Sequence, residues 1–244
     1  SLSLVWGRAG LLCFGQAMFF GFGGYSMGIL TLGMLGGGVI TLSWFALPIA
    51  VLSTCGFSLI LGVFLFRGAG ISGSYLAVVT LAIATLLEQL IRNSYFLGAD
   101  NGLVGIPRLP IGGDPLNPIP DYYFVLAVTA SIYFLLTRLL SSHFGIILAG
   151  IKLDPIRLEY LGYPVSKIRI FVFVLGAGIA ALAGALFVAT ESFSSPKLVG
   201  FALSAEVLIW VALGGRQIIL AALLSASLVR WLEAILSGTL GDLW

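Results

Sequence analysis

Residues 170–190, IFVFVLGAGIAALAGALFVAT, form a run of 21 residues without a single charge. A helix needs about 20 apolar residues to cross a lipid bilayer, so this run predicts a membrane-spanning helix. Gly176, Ala180 and Gly184 recur in it every four residues and therefore share one helix face. Small residues in this phase let a neighbouring helix approach closely, and we expect this face to pack against one.

Further apolar runs lie on both sides of this one. They cover residues 11–35, 45–66, 69–87, 122–137, 198–213 and 218–236. Two of them are weaker candidates, because 122–137 is short and 198–213 contains Glu206. Either of these two could be tilted, broken or re-entrant.

The composition supports a membrane protein. Hydrophobic residues make up 59% of the chain and charged residues only 9%, whereas about a quarter of the residues in soluble domains are charged. We therefore predict an all-α integral membrane protein, a polytopic bundle of about seven to eight transmembrane helices. Residues 1–244 are expected to form a single membrane domain that is truncated at one or both ends.

A polar segment, residues 141–169, separates two of the apolar runs. Asp154 is a good N-cap residue, and Pro155 suits the first position of a helix. Gly162 followed by Pro164 would end that helix after about two turns. A short helix with defined ends in a water-exposed loop is suited to bind a partner.

The basic residues indicate which side each loop faces. Lysine and arginine in short loops mark the cytoplasmic side of a membrane, and residues 141–169 contain Lys152, Arg157, Lys167 and Arg169. Counting spans backwards places Arg67 and Arg8 on that same side. We therefore predict that residues 141–169 are cytoplasmic and that residues 92–121 are periplasmic.

Several function classes are excluded by what the sequence lacks. No GxxxxGK[ST] motif is present, so the chain is not expected to bind nucleotide phosphates or hydrolyse ATP. One histidine and no paired acids at helical spacing argue against a metal site and against an enzyme. The net charge is only +2 and the twelve basic residues are scattered over the loops, which argues against nucleic-acid binding.

Ionisable residues inside the predicted spans are candidates for function, because a charge in a bilayer is costly unless it is paired or hydrated. Glu88 and Arg92 lie four residues apart, and we predict that they pair with each other. Arg230 and Glu233, three residues apart, are expected to do the same.

Glu206 has no basic residue one helical turn away. It must find a partner on another helix, a backbone cavity or water, so it either forms a structural hydrogen bond or lines a pathway. Gln16, which lies among glycines, leaves the same two alternatives open: a hydrogen bond between helices or a position on a pathway.

Six segments, in order along the chain, stand out as a pattern. They are residues 10–25 (GLLCFGQAMFFGFGGY), 73–81 (GSYLAVVTL), 100–107 (DNGLVGIP), 154–162 (DPIRLEYLG), 183–186 (AGAL) and 213–216 (LGGR). Together they resemble branched-chain amino acid ABC transporter permeases of the LivM/LivH type. The resemblance covers nearly the whole chain and is closer to the LivM members.

The resemblance implies a permease subunit of a bacterial importer in the inner membrane. Its partners would be a second, LivH-like permease, two cytoplasmic ATPase subunits that bind ATP and Mg²⁺, a periplasmic binding protein and the lipid bilayer; the chain itself would bind no cofactor. The predicted loop helix would be the coupling helix that docks on an ATPase. The residues implied in coupling are Lys152, Asp154, Ile156, Arg157, Glu159, Leu161 and Gly162, and the pathway candidates are Gln16, Thr80 and Glu206.

The chain departs from the family pattern within the coupling helix, at Pro155, Arg157, Leu158 and Tyr160, so the contacts of that helix would differ in detail from those of the family. For the substrate, the resemblance favours leucine, isoleucine and valine, followed by other amino acids and then by urea or short amides. Two alternatives of other classes remain, an ATP-independent secondary transporter or channel and a structural membrane subunit.

Overall fold

Helices make up most of the fold. The computed structural model describes residues 1–34, 43–68, 73–109, 119–215 and 217–239. The helices are α1 (Gln16–Thr31), α2 (Ser43–Val63), α3 (Ser74–Arg92), α4 (Ile119–Ser141), α5 (His143–Leu153), α6 (Pro155–Tyr160), α7 (Val165–Glu191), α8 (Phe201–Gly214) and α9 (Ile219–Thr239). The strands are β1 (Leu103–Val104) and β2 (Phe193–Ser194); π-helices cover Ser3–Arg8 and Phe64–Gly68, and 3₁₀ turns cover Tyr95–Leu97, Ala99–Asn101 and Pro196–Leu198.

Helices α1 and α7 run parallel through the centre of the protein. Eleven of the sixteen residues of α1 are buried. The two backbones come so close at Gly184 that a side-chain carbon there would overlap the carbonyl oxygen of Phe20. The two helices also meet at the rings of Phe19 and Phe173, which pack edge to face with 5.3 Å between their centroids. Close backbone contact at a glycine and aromatic rings from both helices thus form the core.

The bundle has two distinct ends. At one end, β1 pairs antiparallel with β2, with Leu103 opposite Ser194; we call this the ribbon end. At the other, which we call the α6 end, α6 directly precedes α7. The 27 residues of α7 hold the two ends about 40 Å apart.

Four helices in the described part of the chain are long and apolar enough to cross a membrane. They cover Trp44–Arg67, Tyr75–Arg92, Ile119–Ser141 and Val165–Glu191. A fifth crossing would come from Phe201–Gly214 and Ile219–Ile235, which meet at 119° and form either a broken span or a re-entrant loop. The fold is therefore a polytopic helical membrane protein, and the number of seven to eight spans stays a prediction.

Individual spans differ from their predicted bounds. The run at 11–35 contains the 16-residue helix α1, because the chain from Gly10 to Gly15 is not helical. The run at 122–137 is part of a helix of 23 residues, which is long enough to span. The run at 198–213 ends at a sharp bend, in agreement with one of the alternatives that Glu206 suggested.

The polar segment at 141–169 holds two helices where the sequence predicted one. The additional helix, α5, begins after the N-cap Ser142, whose hydroxyl accepts a hydrogen bond from the Phe144 amide at 3.3 Å. Leu148 and Ile151 of α5 are buried against the bundle. The predicted short helix is present as α6, and α5 is a further helix that the sequence analysis did not identify.

Some positions used in the sequence analysis lie outside the described residues. They are residue 35, residues 69–72, residues 110–118 of the predicted periplasmic loop, Arg216 of the LGGR motif, and residues 240–244.

Candidate functional site

The N-terminus of α6 is capped by Asp154, as the sequence predicts. Its Oδ1 accepts hydrogen bonds from the amides of Ile156 at 3.1 Å and Arg157 at 3.2 Å. Its Oδ2 lies 2.9 Å from Nε of Arg157. Pro155 occupies the first turn, where its missing N–H has no partner to lose. Local chemistry therefore determines where this helix begins.

The C-terminus of α6 is closed by Gly162. Its φ of +87° is left-handed, a conformation that favours glycine. The Gly162 amide donates to the Glu159 carbonyl at 2.9 Å, and the Tyr163 amide donates to the Leu158 carbonyl at 3.1 Å. This pair of bonds is a Schellman motif, and Pro164 prevents the helix from continuing.

One side of α6 is anchored and the other is free. Leu158 lies against Gly150 of α5. On the free side, Ile156 is 62% exposed, Tyr160 88% and Leu161 74%. Large apolar side chains presented together at a loop suggest a docking surface. Glu159 and Arg157 are also exposed and add charge to it.

Lys152 is not part of this surface. Its Nζ donates a 2.8 Å hydrogen bond to the carbonyl of Gly7, in the N-terminal π-helix. It ties the end of α5 to that segment. A groove of about 450 Å³ does open beside α6, and Arg67, Glu159 and Lys167 are among the residues that line it.

Two of the three pathway candidates lie inside the packed bundle. Gln16 is buried, and its Nε2 donates a 3.0 Å hydrogen bond to the carbonyl of Gly176 on α7. Thr80 is also buried; its Oγ1 donates to the Leu76 carbonyl at 2.8 Å and accepts from the Phe14 amide at 3.2 Å. Both side chains thus join helices to neighbouring segments.

Glu206, the third candidate, is partly exposed on α8. Among the described residues it forms no hydrogen bond and no ion pair. The structure therefore does not bring the three candidates together, and it leaves only Glu206 on an open face.

A family model for branched-chain amino acid transport systems, permease component, matches residues 1–242. The chain belongs to this permease family. Among its relatives are the high-affinity branched-chain amino acid transport permease proteins LivM of Escherichia coli K12 and of Salmonella typhimurium LT2. Each is 31% identical over 258 aligned residues, which cover 93% of this chain and 58% of the relative.

A more distant relative is the probable branched-chain amino acid transport permease LivM of Methanocaldococcus jannaschii. It is 24% identical over 216 residues, covering 77% of this chain and 62% of that protein. The chain thus spans about three fifths of the length of these relatives. No solved structure matches it.

At the ribbon end, this permease has an ionic cluster that the sequence predicted only in part. The predicted pair is present, with Nη2 of Arg92 2.7 Å from Oε1 of Glu88. A second carboxylate, Asp100, lies 2.9 Å from Nη1 of the same arginine. The Glu88 carboxylate also lies against Gly200, which precedes α8. The cluster therefore holds together the end of α3, the 3₁₀ turn Ala99–Asn101 and the start of α8.

Residues 100–107, DNGLVGIP, contain this third member of the cluster, Asp100. Gly102 in the motif has a φ of +72°, and a side chain there would overlap the carbonyl of Ser194. The Ile106 amide donates to the Ser192 carbonyl at 3.2 Å. These residues thus close the ribbon end over the central helices. Their presence in the sequence could have pointed to Asp100 as a residue of this cluster.

The role of Asp154 as the N-cap of α6 can be tested with single substitutions. Asp154→Ala should destabilise α6 by about 1 kcal/mol, because two helix N–H groups lose their acceptor. We expect faster hydrogen exchange at the amides of Ile156 and Arg157, about fivefold by that energy. Asp154→Asn keeps a capping oxygen and is the control. Equal exchange rates in the alanine variant and the unmodified permease would contradict the assignment.

Proposed function

We propose that this permease is the membrane-spanning subunit of an ABC importer that moves branched-chain amino acids across the bacterial inner membrane. The observation that carries the proposal is α6, a helix capped at both ends that presents apolar and charged side chains away from the bundle. A membrane subunit without a nucleotide-binding motif must receive the energy of ATP hydrolysis from a partner. An exposed helix of defined length is suited to receive it.

The proposed orientation places the α6 end in the cytoplasm. Arg67, Arg157 and Lys167 all belong to segments at this end, and Arg8 lies in the π-helix to which Lys152 is bound. Positive charge marks the cytoplasmic side of a membrane protein. The ribbon end, with Asp100, would then face the periplasm.

Four partner subunits complete the proposed importer. Two cytoplasmic ATPases would bind ATP and Mg²⁺ and would dock on the α6 surface. A second, LivH-like permease would complete the transmembrane pathway, and a periplasmic binding protein would deliver the substrate to the ribbon end. ATPase closure would be transmitted because α6 makes different contacts in the open and the closed states.

The substrate class is proposed from the names of the relatives and from the lining of the bundle. An apolar cavity of about 340 Å³ lies between α4, α7, α8 and α9, and residues such as Ile179, Val207 and Leu223 line it. No acidic or basic side chain is among its lining residues. An apolar interior of this kind suits aliphatic side chains, whereas recognition of the amino and carboxylate groups is left to the binding protein.

The test is uptake by the reconstituted complex. The five subunits are co-expressed and placed in liposomes, and uptake of radiolabelled leucine, isoleucine and valine is measured with ATP present on the ATPase side. We expect uptake that stops when ATP, the binding protein or this permease is left out.

Three results would contradict the proposal. Preferred uptake of urea would change the substrate class. Uptake driven by an ion gradient without ATPases would make the chain a secondary transporter. Undiminished uptake in complexes lacking only this permease would make it a structural subunit.

A further inference from the structure

Helix α8 has one buried face and one open face. Ser204 and Val211, seven residues apart, are the buried positions and face the bundle. The open face is a stripe along the helix that we call the Glu206 stripe. It consists of Ala202, Glu206, Ile209 and Leu213, whose spacing of four, three and four residues keeps them on one side.

The carboxylate in this stripe lies well away from the helix end. Helix α8 starts beside the Glu88 carboxylate at the ribbon end. Glu206 follows five residues after Phe201, about 8 Å further along the axis. Ile209 and Leu213, beyond it, are 53% and 70% exposed. The carboxylate therefore lies on a helix face whose other side chains are apolar.

Glu206 also differs from Glu88 and Glu233, which likewise lie within apolar helices. Glu88 is paired with Arg92, and Glu233 lies 3.2 Å from Arg230 on its own helix. In the described part of the chain, Glu206 has no such partner. A carboxylate on an apolar membrane helix is retained only when a cation, a hydrogen-bond donor or water compensates its charge.

We propose that the Glu206 stripe packs against the second membrane subunit of the transporter, which presents a lysine or arginine side chain to Glu206. The inference rests on the proposed function, since it requires a complex with a second permease. Charge complementarity indicates the partner, because a lone carboxylate calls for a cation. The apolar neighbours favour a packed protein contact over an aqueous channel, and small Ala202 lets a second helix approach closely.

The first test measures assembly. This permease is tagged and purified with its complex, and the ratio of second membrane subunit to tagged chain is compared between variants. Glu206→Lys should reduce that ratio by at least about tenfold, since two cations would then face each other. Glu206→Gln keeps the volume of the side chain and should reduce the ratio less. Glu233→Lys, which also reverses a glutamate on an apolar helix, is the matched control and should leave the ratio unchanged.

The second test locates the contact. A photo-reactive phenylalanine analogue replaces Ile209, which lies one turn from Glu206. The control carries the analogue at Ile60 of α2, a residue of the same type that is 68% exposed. We expect a cross-link from position 209 to the second membrane subunit. Exchange of the lysine or arginine nearest the cross-link for glutamate should restore assembly of the Glu206→Lys variant.

The outcomes separate this inference from the proposed function. An unchanged subunit ratio in Glu206→Lys would overturn the inference. So would cross-links from position 209 to lipid alone, or labelling of Glu206→Cys by a water-soluble thiol reagent without any subunit cross-link. If any of these results is obtained while the complex still imports branched-chain amino acids with ATP, the proposed function stands and only the proposed partner of the Glu206 stripe is wrong. Absence of ATP-driven uptake in the unmodified complex would instead contradict the function.

Discussion

Gly184→Ala is expected to destabilise the permease strongly. The added methyl group would overlap the carbonyl oxygen of Phe20 at the closest approach of α1 and α7. A backbone atom cannot rotate away as a side chain can, so the two helices must separate. We expect a loss of about 3 kcal/mol, which corresponds to a fall of about 6–12 °C in the midpoint of thermal unfolding. Thermal unfolding of the detergent-solubilised complex measures it.

Gly56→Ala is the matched control for this experiment. Gly56 also lies inside a helix, α2, but a side-chain carbon there would meet nothing within 4 Å. Alanine is the better helix former, so this variant should be unchanged or up to about 1 kcal/mol more stable. If Gly184→Ala unfolded at the same temperature as Gly56→Ala, the close contact of α1 and α7 would be wrong.

Gly162→Val is expected to uncouple transport from ATP hydrolysis. Space is not the limit, because a side-chain carbon at Gly162 would meet nothing within 4 Å. The limit is the φ of +87°, which a β-branched residue adopts only at a cost. A penalty of about 1.5–2 kcal/mol lowers the population of the docking geometry by about tenfold or more. Uptake should fall by that factor, whereas the ATPase subunits keep hydrolysing ATP.

The conservative variant Gly162→Asn separates conformation from side-chain chemistry. Asparagine tolerates the left-handed conformation better than other residues do, so much of the uptake should be retained. Full ATP-driven uptake by Gly162→Val, with the ATPases still bound, would mean that α6 does not couple the two processes.

The sequence predicts both ends of α6 because helix caps are local. Asp154 bonds to amides two and three residues ahead, and Gly162 and Tyr163 bond to carbonyls three and five residues back. The Glu88 and Arg92 pair is predictable for the same reason, since one helical turn brings the two side chains together. Features of this kind need no knowledge of the tertiary fold.

Long-range contacts cannot be read in this way. The role of Gln16 was open because its acceptor, Gly176, is 160 residues away. The helix α5 was missed because its apolar residues lie in a segment that its basic residues marked as polar, and only the fold shows Leu148 and Ile151 buried. For Asp100, the sequence shows an acid in a loop, and only the folded 3₁₀ turn brings it to Arg92. Glu206 forms no hydrogen bond or ion pair within the described residues, so neither the sequence nor the fold of those residues provides its partner.

The continuity of α7 has a mechanical consequence. The helix contains no proline and runs unbroken from Val165, three residues after Gly162, to Glu191, two residues before strand β2 of the ribbon. It can therefore act as a lever. A tilt of about 5° at the α6 end would displace the far end, about 40 Å away, by about 3–4 Å. A small displacement of α6 would thus be amplified by α7 into a displacement of several ångströms at the opposite end of the bundle.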